Sequence, residues 1–156
     1  MKAIKRWAGA LSLVAVVSLA GCGSGYVETT QVVPSLFANV AFSLDMRING
    51  VFIPEVNVQP GYQQDVPMRA GSSFEVLASG PVAWTVTIDG AVVNPPLGTG
   101  VVFNGVNLVP TSISSGRFSA VATAQGFLLR DRVISIIATS LVDARQVANI
   151  NILLTN

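Results

Sequence analysis

From Val40 the chain alternates in character. Val40, Phe42, Leu44, Met46 and Ile48 are apolar, while Asn39, Ser43, Asp45, Arg47 and Asn49 are polar. A period of two predicts a strand with one buried face. Asn49-Gly50 follows, a pair that tolerates positive φ at both positions and so predicts a two-residue hairpin turn. Val51 to Val58 then returns as the partner strand. Pro54 within it predicts an edge or a bulge, because proline cannot donate to a ladder.

The same alternation recurs downstream. Pro60-Gly61 opens a turn, Gln63 to Arg69 reads as a short strand, and Ala70-Gly71-Ser72-Ser73 is another turn. Phe74, Val76 and Ala78 alternate with Glu75 and Ser79, and Trp84, Val86 and Ile88 with Thr85, Thr87 and Asp89. Asp89-Gly90 is a second hairpin signal, leading into Ala91 to Val93. Asn94 to Gly100 is rich in proline and glycine and reads as a loop. Val101 to Val109 is a strand region interrupted at Asn104-Gly105, read as a bulge, and Pro110 to Gly116 is a second loop. Phe118 to Ala124, Val133 to Ser140 and Gln146 to Leu154 complete the set. The last two carry apolar residues at both parities and are expected to be central and covered. No amphipathic helix appears in this region. About 8–10 short strands at turn spacing predict an all-β sandwich.

The N-terminus has a different pattern. Lys2, Lys5 and Arg6 precede an uncharged, mostly apolar run from Trp7 to Ala20, shorter than the ~20 residues a spanning helix needs. Leu19-Ala20-Gly21-Cys22 ends it and holds the one cysteine of the chain. This stretch resembles the signal of bacterial lipoproteins. The resemblance implies that residues 1–21 are removed by cleavage between Gly21 and Cys22. It also implies that the Cys22 thiol carries a diacylglycerol and that the new amino terminus is acylated. An ordinary cleaved signal with an incidental cysteine, or a retained anchor, are the alternatives. In Gram-negative lipoproteins an aspartate after the cysteine favours the inner membrane. Gly23 stands there, so the resemblance favours the outer membrane, on its periplasmic or surface face, if the source is Gram-negative. Residues 22–36 read as the lipidated cysteine and a flexible tether, and 37–156 as the sandwich. A free segment of that length spans ~20 Å.

Composition narrows the chemistry. Beyond residue 21, six arginines face eight acids, with no lysine and no histidine. Nothing resembles a basic stripe, so nucleic acid is not an expected partner. A single cysteine forbids disulfides within the domain. The residues that activate nucleophiles or bind zinc are mostly missing, so neither a cofactor nor a metal is expected.

Two stretches carry a second resemblance. Ala70 to Ser79 followed by Val82-Ala83-Trp84-Thr85-Val86 resembles strands B and C of bacterial immunoglobulin-like domains, with Trp84 as the C-strand core tryptophan. Val133 to Ser140, with Asp143, Ala148, Ile150 and Ile152, resembles their closing F–G hairpin. The resemblance implies an immunoglobulin-like β-sandwich, without the inter-sheet disulfide or tyrosine corner of antibody domains. The 40–58 hairpin would supply its first strands or an addition.

Trp84 reads as core in preference to a ligand platform. Tyr62 and Tyr26 read as solvated turn and tether residues, with contact to sugars or a partner as the alternative. The acids Glu28, Asp45, Glu55, Asp65, Glu75, Asp89, Asp131 and Asp143 are scattered, and Asp89 is explained by its turn. Arg130-Asp131-Arg132 reads as a solvated lead-in to a strand. Ser114-Ser115-Gly116 has no histidine partner, and Gly98-Thr99-Gly100 lacks the lysine of a phosphate loop. The expectation is a non-catalytic, lipid-anchored envelope protein that binds an envelope protein or polymer. Alternatives are a carbohydrate or small-ligand binder using loops 94–100 and 110–117, an unrecognised hydrolase, and strand exchange at Pro54 or the 146–154 strand.

Overall fold

Three Asx-Gly pairs set the ends of three hairpins. A computed structural model of the chain describes residues 42–128 and 130–156. Within them run eleven strands. These are β1 (Leu44–Ile48), β2 (Val51–Val58), β3 (Gln63–Arg69), β4 (Ser72–Ala78), β5 (Val82–Ile88) and β6 (Ala91–Val93). They are followed by β7 (Val101–Phe103), β8 (Val106–Ser114), β9 (Arg117–Ala124), β10 (Arg132–Ser140) and β11 (Val147–Thr155). Asn49-Gly50, Asp89-Gly90 and Asn104-Gly105 join β1 to β2, β5 to β6 and β7 to β8. All six turn residues have positive φ, between 48° and 82°. That is the type I′ pattern, whose twist matches the flanking strands.

The strands form a six-stranded sheet in the order β2-β1-β4-β9-β8-β7 and a five-stranded sheet in the order β3-β11-β10-β5-β6. All neighbours are antiparallel except β3, which runs parallel to β11. Strands β1, β4, β9 and β8 occupy the A, B, E and D positions, and β11, β10, β5 and β6 occupy G, F, C and C′. This is an immunoglobulin-like sandwich. The stretches expected as B, C, F and G are β4, β5, β10 and β11. The first hairpin supplies strand A and an added edge, β2.

The core lies between the sheets. Leu44, Met46, Val76, Leu108 and Phe118 meet Ile88, Ile134, Ile136, Ile150, Ile152 and Leu154, all under 2% exposed. Each such side chain contributes about 1.5–3 kcal/mol of burial. Phe118 on β9 touches Phe74 of its own sheet, with ring centroids 6.1 Å apart, and Trp84 of the opposite sheet at 6.2 Å. These tilted pairs lie within the range aromatic rings prefer. Trp84 is only half-buried, and its indole Nε1 donates to the Ser114 carbonyl at 2.6 Å.

Three expectations need correction. There are eleven strands among the described residues, because Asn104-Gly105 is a hairpin turn and not a bulge. Residues 106–114 form one strand through Pro110, where a loop was expected. The Pro110 carbonyl accepts the Gly98 amide at 2.9 Å, so this residue turns its polar side toward the 94–100 loop. Its missing N–H is therefore not needed by the ladder with β9. Finally, the 146–154 strand is not an edge: β11 lies between β10 and β3. The Pro54 expectation holds in both forms. β2 is an edge strand, and its register against β1 shifts between Asp45 and Arg47.

Candidate functional site

The chain crosses from the six-stranded to the five-stranded sheet through Gln59-Pro60-Gly61-Tyr62. Pro60 sits at the second position and Gly61, with φ 86°, at the third. The Tyr62 amide donates to the Gln59 carbonyl at 3.1 Å. This is the arrangement of a type II turn, which needs positive φ at its third residue. The turn is pinned to β11 on both sides of Gly61-Tyr62. The Gly61 amide donates to the Val147 carbonyl at 2.7 Å, and the Tyr62 carbonyl accepts the Asn149 amide at 3.2 Å. Tyr62 is therefore held by its backbone while its side chain is 71% exposed.

Beside it opens a cleft of about 410 Å³ lined by Asn57, Val58, Gln59, Tyr62, Gln63 and Gln64. Among the described residues, no charged side chain lines it. Two of its amides are oriented by partners that only accept, and a third by a donor. Asn57 Nδ2 donates to Asp45 Oδ1 at 3.2 Å, and Gln64 Nε2 donates to the Glu55 carbonyl at 3.0 Å. The third is set through a relay across β11. Asp65 Oδ1 accepts Asn151 Nδ2 at 2.9 Å, so Asn151 Oδ1 faces back and accepts Asn149 Nδ2 at 3.0 Å. Asn149 Nδ2 also reaches Gln63 Oε1 at 3.3 Å. A carboxylate cannot donate, so the polarity of the whole row follows from Asp65. Among the described residues, Asn57 Oδ1 and Gln64 Oε1 are thereby left as acceptors and Gln63 Nε2 as a donor.

The loops expected to form a site do meet, on the other side of the sandwich. Asn94, Pro95 and Ile113 line an apolar cleft of about 170 Å³ with Trp84, Val86, Val93 and Phe118. Trp84 thus serves the core and the wall of a cleft at once.

Charges are few, and ion pairs centre on Glu75 and Asp89. Glu75 is bridged by Arg47 at 3.3 Å and by Arg117. Asp89 does more than cap its turn. Its Oδ2 accepts Asn104 Nδ2 at 2.9 Å and Arg132 Nη1 at 3.0 Å, and its Oδ1 accepts the Val133 amide at 3.1 Å. Asn104 belongs to the β7–β8 turn, so this carboxylate joins the two sheets at one end. Burial pushes the Asp89 pKa up, but the Val133 amide, the Asn104 amide and the Arg132 guanidinium outweigh it. The carboxyl is held below the ordinary carboxylate range. Arg132 is accordingly no part of a solvated lead-in; only Arg130 and Asp131 of that trio are exposed. Asp45, Asp65, Glu75, Asp89 and Asp143 each accept a hydrogen bond from a neighbouring group.

Each edge strand among the described residues is short or interrupted. β2 carries Pro54 and a register shift, β3 carries Pro67 between Asp65 and Arg69, and β6 and β7 have three residues each. These are devices that deny a partner a continuous ladder. Gly21, Cys22, Tyr26 and Glu28 lie outside the described residues.

No protein-family model matches the chain, and no curated protein matches it. Among solved structures it is similar to a chimeric titin Z1Z2 functionalised with an exogenous KLER peptide from decorin. That match has 19% identity and TM-score 0.37, and covers 59% of this chain and 87% of the other. It is also similar to the titin M3 domain, at 11% identity and TM-score 0.37, over 72% of this chain and 99% of the other.

Proposed function

We propose that this chain is a lipid-anchored, non-catalytic binding module of the bacterial cell envelope. Its immunoglobulin-like domain is carried on Cys22 by residues 22–36, and it meets an envelope protein or polymer. The outer membrane is the favoured location. The observation that carries the binding function is the cleft beside Tyr62, where an exposed aromatic on a pinned turn stands among oriented amides. The anchor is supported by the basic start, the apolar run and Leu19-Ala20-Gly21-Cys22. Two or more acyl chains hold a protein on a membrane where one does not.

Changing Cys22→Ala is expected to move the protein from the membrane to the soluble fraction. Mass spectrometry of the unchanged protein is expected to show cleavage before Cys22 and added acyl mass on it. An unmodified Cys22, together with unchanged membrane retention of the variant, would overturn the anchor.

A further inference from the structure

We infer that the cleft between β2 and β3 is a binding site for a neutral sugar chain. The inference rests on the reading of the domain as an envelope binding module and names its ligand class. Its volume, about 410 Å³, falls among those of small-ligand sites, which span roughly 300–1,000 Å³.

Three features select the chemistry. First, the lining carries no charge among the described residues, so these have nothing to neutralise a phosphate, a carboxylate or an ammonium group. Second, the free amide atoms are of both kinds. Asn57 Oδ1 and Gln64 Oε1 accept, while Gln63 Nε2 donates. Sugar hydroxyls donate and accept, so each can be satisfied by such a set. Third, Tyr62 offers a flat apolar face with a hydroxyl at its tip, 71% exposed. The C–H face of a pyranose ring buries against such a surface, and the amides fix its rotation. Because the amides are already oriented and the Tyr62 backbone is pinned, little ordering accompanies binding. A peptide that bound as an extra strand would need an open edge. Pro54 with its register shift on β2, and Pro67 on β3, deny it one on both sides of the cleft.

The test is isothermal titration of the full-length protein in a detergent without a sugar headgroup. The probes are hexasaccharides of glucose and of N-acetylglucosamine, an acidic hexagalacturonate and an uncharged hexapeptide. Saturable binding to at least one neutral hexasaccharide is expected, and the two neutral probes separate a plain glucan from an acetamido sugar chain. Tyr62→Ala is expected to weaken that binding about tenfold, the equivalent of about 1.4 kcal/mol. Tyr62→Phe is expected to keep most of it. Both variants should melt as the unchanged protein does, since the side chain is exposed. Equal affinity of Tyr62→Ala, or no saturable binding of either neutral sugar, would overturn the proposal. If the hexapeptide alone bound, and did so through Tyr62, the sugar class would fall while the binding module stood. Loss of the anchor would show separately, in the Cys22 measurements.

Discussion

Phe118→Ala is expected to destabilise the domain by about 4 kcal/mol. A typical domain has only about 5–15 kcal/mol in total, so much of the population is expected to unfold in mild denaturant. The size of the effect follows from position. Phe118 is 1% exposed and touches Phe74 in its own sheet and Trp84 in the other. Truncation removes the ring that links two aromatic neighbours across the interface. The cavity left behind cannot collapse easily, because its walls are the two hydrogen-bonded sheets. Phe118→Leu should cost about 1–2 kcal/mol, since most of the volume stays. Urea unfolding followed by Trp84 fluorescence would measure both. Equal losses for leucine and alanine would show that the ring's packing across the sheets is not what matters.

Asp89→Ala is expected to cost about 3 kcal/mol. The change leaves Arg132, whose side chain is 17% exposed, without its carboxylate. It also strands the Val133 amide and Asn104 Nδ2, and replaces a turn residue with φ 49° by one less suited to it. Asp89→Asn keeps the turn and should cost about 2 kcal/mol, the worth of hydrogen bonds to a charged group. Acid separates the two contributions. The folded-state pKa of Asp89 is lowered, so its stabilisation is complete above the ordinary carboxylate range and is lost as pH falls through the folded value. The gap between the unchanged protein and Asp89→Asn is therefore expected to be constant near neutral pH and to narrow in strong acid. Urea midpoints at about pH 7 and about pH 3 would measure it. A gap that widens in acid would reverse the sign and refute the role given to the charge.

Much of the fold was legible because it is local. Period two marked β1, β4 and β5, and Asn49-Gly50 and Asp89-Gly90 marked their turns from two residues each. Asn104-Gly105 carried the same signal. In the sequence it reads as an interruption because β7 contributes only three residues, too few to register as a strand. Pro110 reads as a loop because the sequence does not show which way a proline faces. The parallel pairing of β3 with β11 joins residues 86 apart in the chain, and no short-range pattern announces it.

The candidate site was hidden for the same reason. Asn57, Gln63 and Gln64 look like ordinary polar positions on edge strands. They become a set only when register places Gln63 beside Asn149 and Asp65 beside Asn151. Tyr62 was visible as a turn aromatic, but its pinning to Val147 and Asn149 was not. The place of Asp89 in its own turn is local, while its grip on Asn104 and Arg132 depends on the stacking of the sheets.

The blunted edges have a colloidal consequence. Between Phe42 and Asn156 there are six arginines and seven acids, so the folded domain carries almost no net charge. Copies of a nearly neutral domain gain little from mutual repulsion, which normally keeps proteins apart in solution. Here the short and proline-bearing edges supply that separation by shape. Screening by salt would not remove such protection, so crowded copies should resist cross-strand aggregation at any ionic strength.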